Sequence, residues 1–296
     1  MKPFLILAFA LQSACMPQKI AAGNNTFEDD LRKGIDVWVQ NKTINADLDF
    51  TQLSKPNRVS IGIAEGKIGA SVTFQNCTFK GKIAGFATDD KGQMTLTAFG
   101  RNVSFLNCVF EREVSFRSCN IAGRADFTQS TFKQGVNFEE VTFGDNAFFN
   151  DCKFEGEVRF QNAVFQKKAN FMKADFSKTC NFQSSVFTLE AQFGLCQFRE
   201  YTDFSLTSFV RDALFNYAVS SKRLVFENAT FSARCELMNV EAIEVNMRNC
   251  TFWGSSRFIA AKITKQLSFE NSVFWKIPEL DDIAEDKLDR KGMTLK

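Results

Sequence analysis

Residues 125–154 read ADFTQSTFKQGVNFEEVTFGDNAFFNDCKF. Phenylalanine recurs there at Phe127, Phe132, Phe138, Phe143, Phe149 and Phe154, and the alternating steps of five and six continue to Phe215. Neither a 3.6-residue helix nor simple strand alternation repeats at eleven, so each step is one side of a winding solenoid. Two residues before each Phe stands a smaller residue, as in Ala125, Ser130, Val136, Val141, Ala147 and Cys152. Residues two apart on an extended segment point the same way. The small residue and the Phe therefore enter one interior, and the fold class is an all-β solenoid.

Units such as Ala169-Asn170-Phe171-Met172-Lys173 and Ala174-Asp175-Phe176-Ser177-Lys178 resemble the pentapeptide-repeat family, whose units carry a large apolar centre and a small residue two positions earlier. The resemblance implies a right-handed quadrilateral β-helix with four sides per coil. Steps of five and six make a coil of 22 residues here against 20 in the plain family pattern, which places one extra residue at every second corner. The pattern is clean from Phe105 onward, and Pro56 and the turn Asp89-Asp90-Lys91-Gly92 interrupt it between Leu53 and Phe99. A one-residue slip lies between Phe231 and Phe252, with Leu237 and Ile243 expected inside.

The repeat divides the chain into a signal-like segment (1–22), an N-terminal capping helix (23–43), the solenoid (44–276) and a C-terminal capping helix with its tail (277–296). Thr26 followed by Glu28, Asp29 and Asp30 is a helix start, and Leu31, Ile35 and Trp38 recur behind it at helical spacing. Pro278 opens a second short apolar stripe, Leu280, Ile283, Ala284 and Leu288. Both are expected to cover the open ends that a stack of coils would otherwise expose.

Eight of the nine cysteines (Cys77, Cys108, Cys119, Cys152, Cys180, Cys196, Cys235 and Cys250) fall in the small inward slot, where a free thiol packs as a small apolar group. In the column Cys108, Ser130, Cys152, Ala174, Cys196, the cysteines stand two coils apart, roughly 9 to 10 Å, too far for a disulfide. Without a CxxC pair or any histidine, zinc ligation has no support. Cys15 lies outside the repeat, behind Lys2 and the apolar run Phe4 to Leu11. That start reads as a secretory signal and resembles a bacterial lipoprotein signal, which implies acylation of Cys15 and an exported, envelope-attached protein. Cleavage after Ala22 is the competing outcome, and a buried N-terminal strand in a cytoplasmic protein is the third.

No sequence feature points to an enzyme. The lack of histidine removes Ser/His/Asp and Cys/His arrangements, and no phosphate-binding glycine loop is present, so no cofactor is expected. Some members of the family are known to imitate DNA and occupy topoisomerases; that role needs a dense acidic surface. With 36 basic and 34 acidic residues, net +2, this chain lacks one, and no basic stripe suggests nucleic-acid binding. A cytoplasmic modulator of a topoisomerase is the alternative function.

The period also sorts the outward positions into sides. One side reads Asn120, Thr142, Val164, Val186, Ser208, Thr230, Thr251 and Val273 just before the large residue, and Ala122, Gly144, Gln166, Thr188, Val210, Ser232, Trp253 and Trp275 just after it. Neither column contains a charge. The opposite side carries Glu111, Lys133, Lys153, Glu155, Asp175 and Arg199. Thr142, Val164, Val186, Val210, Trp253 and Trp275 are therefore the candidate contact face, for an unknown protein partner or for self-association. Thr and Val also suit any exposed strand, with the C-terminal helix covering the tryptophans. Phe148, out of register, is a lone further candidate.

Overall fold

The structure is a computed structural model that describes residues 26–296. The segment 1–22 and Cys15 lie outside the described residues. The rest is a right-handed coil of about 9 turns. In the regular part each turn has four short sides, for example Ala125–Asp126, Thr131–Phe132, Val136–Asn137 and Thr142–Phe143, here called faces one to four. Each side pairs in parallel with the side one coil later, Ala125 with Ala147 and Thr142 with Val164, which is the 22-residue coil made visible.

The corners explain the alternation of five and six. At each five-residue step the second residue after the Phe takes a left-handed conformation, as Gln129, Glu140, Asp151 and Asn162 do with φ of 61°, 59°, 57° and 57°. One left-handed residue turns the chain most tightly, and six-residue steps turn without one. Asn tolerates this conformation best among residues with a side chain, and three corner asparagines add a ladder. Asn107 Nδ2 donates to Asn76 Oδ1 at 2.9 Å, and Asn76 Nδ2 to Asn41 Oδ1 at 3.1 Å.

Inside, four aromatic stacks run along the rod. On face one Phe149, Phe171 and Phe193 stack at 4.9 and 4.8 Å between centroids, and on face three Phe160, Phe182 and Phe204 stack at 4.9 and 4.7 Å. The two central stacks meet edge to face, Phe171 on Phe182 at 5.3 Å and 87°, the arrangement the ring quadrupole favours. The small slots do more than make room. Ser130 Oγ donates to the Phe105 carbonyl at 2.7 Å and Ser185 Oγ to that of Phe160 at 2.6 Å; Cys152 and Cys196 Sγ donate in the same way to Phe127 and Phe171. Hydroxyl and thiol are thus interchangeable there, and all eight repeat cysteines are buried and free, as the register required.

Four details of the sequence reading need correction. The N-terminal helix is only Phe27–Arg32, opened at the expected start by a capping box between Thr26 and Asp29. Gly34, at φ 72°, ends it, and the chain enters face one at Val37–Gln40, so Trp38 belongs to a strand and points outward. No C-terminal α-helix follows. After a single turn at Glu285–Lys287, Leu288–Asp289 and Thr294–Leu295 pair with Leu267–Ser268 and Val273–Phe274 as one more partial coil. The stripe of Leu280, Ile283 and Leu288 still packs on the core, and Asp282 keeps the left-handed corner in register. At the slip, Leu237 is buried as expected, but Ile243 is exposed while Ala242 and Val245 point inward. The missing residue falls between Ala242 and Glu244, where the ladder shifts.

The interruption between Leu53 and Phe99 consists of two hairpins. Val37 pairs with Val72 and Val72 with Val103, so the first two coils are longer than the rest. The surplus forms antiparallel pairs, Asn57–Ser60 with Ile63–Ile68 and Phe86–Thr88 with Met94–Phe99, which extend face four sideways. In the second turn Asp89 Oδ1 accepts the backbone N–H groups of Lys91 and Gln93 at 2.9 and 2.8 Å, the usual role of Asp in a turn.

Candidate interaction face

Thr142, Val164, Val186, Ser208, Thr230, Thr251 and Val273 form a single ladder of parallel neighbours on face four. Thr188, Val210, Trp253 and Trp275 run beside it. The β-branched column is half-buried by its own neighbours, whereas Val210 and both tryptophans are exposed. Trp253 and Trp275 stack on each other at 4.6 Å and 14° and remain 49% and 42% exposed. The C-terminal coil continues the ladder instead of crossing it. On its last rung Lys296 places its Nζ 5.5 Å from the Trp275 ring centre.

Face two, built on the same geometry, is laced with charge. Arg199 makes a two-pronged pair with Asp175 at 2.8 and 2.6 Å, and Lys133 reaches Glu111 at 3.5 Å. Face one carries charge that is partly enclosed. Asp126 is buried between Arg124 and Thr128, and Glu236 accepts from Asn216 and Arg234 with Arg257 nearby. Phe148 projects outward on this face, covered by the Arg124 guanidinium at 4.2 Å from its centroid. That cation–π contact gives Phe148 a local role within the face.

Two surface features were not anticipated. Leu195, Leu206 and Tyr217 occupy left-handed corners at φ of 61°, 60° and 61°, and are 43%, 54% and 56% exposed. Their signal was present in the sequence, since each stands two residues after a Phe that begins a five-residue step. The second is an open groove of about 370 Å³ beside the slip, lined by Glu200, Tyr201, Lys222, Arg223, Ile243, Glu244 and Lys265. Burial alone would raise the Glu244 carboxyl, but hydrogen bonds from Lys265 and Arg223 outweigh it and hold its pKa below the ordinary value. These opposite charges are spent on one another.

The thiols are chemically quiet. Burial pushes Cys108 and Cys119 up to about 12, and raises Cys152, Cys180, Cys196, Cys235 and Cys250 further. A protonated, enclosed thiol is neither nucleophile nor ligand. Among the described residues no group of three His, Cys, Asp or Glu is placed to hold a metal ion. No described helix is long and apolar enough to cross a membrane.

A family model described as pentapeptide repeats (9 copies) matches residues 96–142 and 138–186. No curated protein matches the chain. Two solved structures of trypsin-treated QnrB1 variants, described as a plasmid-mediated fluoroquinolone resistance protein, are similar at 14% and 15% identity. The alignments cover 88% of this chain and 90% and 92% of theirs, with TM-scores of 0.23 and 0.17. Likeness at that level carries no functional argument. The matched repeats lie in the regular coils, and the same ladders run on from them to Thr294–Leu295; over residues 96–186 the chain carries the repeats of the pentapeptide-repeat family.

Proposed function

We propose that the protein is a non-enzymatic interaction scaffold: a rigid rod that presents face four to a protein partner. The observation that carries this reading is the stacked, exposed pair Trp253 and Trp275 at the end of an uncharged ladder. Large aromatics left half in water at the edge of a continuous strip are costly for a monomer and typical of contact centres. The basic start and apolar run ahead of Cys15 support export to the cell envelope, with Cys15 as the acylated residue.

The test replaces Val186 and Val210 with Lys. Both side chains point outward, so the thermal midpoint should hold while recovery of the partner by cross-linking in cells is lost. Unchanged recovery would remove face four from consideration. Location is tested separately, by fractionating cells and by comparing fatty-acid labelling of the native chain with Cys15→Ser. A cytoplasmic, unlabelled chain would overturn the export reading without touching the face.

A further inference from the structure

Face four tapers in side-chain size along the rod, and the taper suits a second copy of itself. Its strands run in the order Ile63–Ile68, Met94–Phe99, Asn120–Ile121, Thr142–Phe143, Val164–Phe165, Val186–Phe187, Ser208–Phe209, Thr230–Phe231, Thr251–Phe252, Val273–Phe274 and Thr294–Leu295. The outward position after the large residue reads Gly100, Ala122, Gly144, Gln166, Thr188, Val210, Ser232, Trp253 and Trp275 along the rungs from Met94–Phe99 to Val273–Phe274. One end carries small residues, with the Lys67 stem beside Gly100, and the other bears two indoles followed by Lys296.

The geometry points to an antiparallel face-to-face dimer through face four, an assignment that rests on reading this face as the contact surface. A two-fold axis lying in the interface, along the strand direction at Thr188, reverses the rod and keeps each column over itself. Trp275 then covers Gly100, Trp253 covers Ala122, Ser232 meets Gly144, Val210 meets Gln166, and Thr188 meets its own copy. Large residues fall on small ones at both ends, as a self-complementary interface requires. A parallel arrangement would instead set each Trp over the threonine or valine of its own rung and leave the small end empty.

Only a second copy is certain to share this rung spacing, which makes it the one partner that stays in register along the whole face. Nine rungs at about 4.8 Å span about 40 Å, and with a strand side about 12 Å wide the relief of the side chains brings the buried area to roughly 500 to 700 Å² per copy. That total sits near the lower edge of stable interfaces, so the dimer is of moderate affinity. Within the nine rungs from Ala98 to Trp275 no charge is desolvated in the two columns; Lys67 and Lys296 stand on the rungs just beyond them. The flank beside the second column carries Arg101, Lys167, Arg211 and Lys276 against Asp145, with Arg101 paired to Asp36, and the two-fold brings these flanks together. Rim repulsion of this kind is screened by salt, so association should tighten as salt rises.

Sedimentation equilibrium of the purified full chain tests the proposal. The wild type should dimerise at micromolar concentration, more tightly at high salt. Ala122→Trp, which fills the small end with an outward side chain, should raise the dissociation constant about tenfold or more. Thr188→Cys should give a disulfide-linked dimer on oxidation, whereas Ser177→Cys on face two should not. A wild type that stays monomeric at high protein and high salt overturns the dimer, and leaves the scaffold reading to be judged by partner recovery in Val186→Lys/Val210→Lys. A dimer that persists in that double variant overturns both. A dimer lost in the double variant but indifferent to Ala122→Trp overturns the antiparallel arrangement.

Discussion

Alkali should unfold this protein with a steepness set by its buried cysteines. The ordinary thiol value is 9.0, and burial raises it in Cys108, Cys119, Cys152, Cys180, Cys196, Cys235 and Cys250, the first two to about 12. A group whose pKa is raised on folding contributes its full stability below the unfolded value and loses it as pH climbs toward the folded one. Above about pH 9 the unfolded chain sheds protons that the folded chain holds. Each thiol then costs about 1.4 kcal/mol per pH unit, and seven together approach 10 kcal/mol per unit before the folded thiols begin to ionise near pH 12. The double variant Cys152→Ala/Cys196→Ala isolates this effect, because Ala174 already fills the intervening rung of the same column. The bonds it deletes are expendable: the Phe127 and Phe171 carbonyls still accept from the backbone N–H groups of Ser130 and Ala174. Guanidinium midpoints in reductant at pH 7.5, 9.5 and 10.5 provide the assay. The wild type should lose stability steeply over the two upper values, and the variant should lose about two sevenths less per pH unit. Equal pH dependence in the two proteins would refute the assignment of these thiols as buried and protonated.

Other consequences are simpler to test. Phe171→Ala opens a void between two stacked and three edge-on neighbours, and should cost about 3 to 5 kcal/mol by chemical denaturation. Leu195→Asn relieves a left-handed leucine on the surface and should stabilise the fold by about 1 kcal/mol, read as a raised thermal midpoint. At the slip, Ile243→Lys should leave the midpoint unchanged, whereas Val245→Lys, which buries an unpaired ammonium, should prevent folding; the reverse order would restore the inward placement of Ile243. Ellman's reagent should find none of the eight repeat thiols reactive in the native protein and all of them after denaturation.

Much of the fold was legible because one constraint repeats. A coil interior admits one large and one smaller side chain per side, so Phe, once Ile121, and Ala, Ser, Cys, Val or Thr mark the inward positions from Phe105 to Phe215, and the columns of face four could be read from sequence alone. Legibility failed where something other than the interior decided. Gly34 ended the first helix although Ile35 and Trp38 continued its apolar spacing, because a left-handed glycine and a waiting strand partner outweighed a weak stripe. At the C terminus the spacing of Leu280, Ile283 and Leu288 suited a helix, but the open ladder of Leu267–Ser268 offered backbone hydrogen bonds that a lone helix could not match. Ile243 was misplaced because a deleted residue leaves two equally spaced choices, and only the ladder with Ser220 and Leu224 selects Ala242 and Val245. Leu195, Leu206 and Tyr217 went unread since the corner position they share, two residues after a Phe, admits polar and apolar residues alike, as Gln129, Glu140 and Asn162 show.

The same repetition gives the outward columns their evidential weight. All four sides are two-residue strands with the same pairing, and all bury the same kind of interior, so neither strand propensity nor core packing distinguishes face two from face four. Thr and Val suit both equally. Face two nevertheless alternates Lys, Asp and Arg along its rungs, and pairs them at distances such as 2.6 Å for Arg199 and Asp175. Face four carries no charge on the eight rungs from Asn120 to Trp275. On the proposed reading, a difference that backbone and interior do not produce comes from what the surface meets. For face two that is water, in which exposed ion pairs cost little and stabilise little. For face four the side chains are those that lose least on leaving water, and they end in two indoles that a solvated surface would not need.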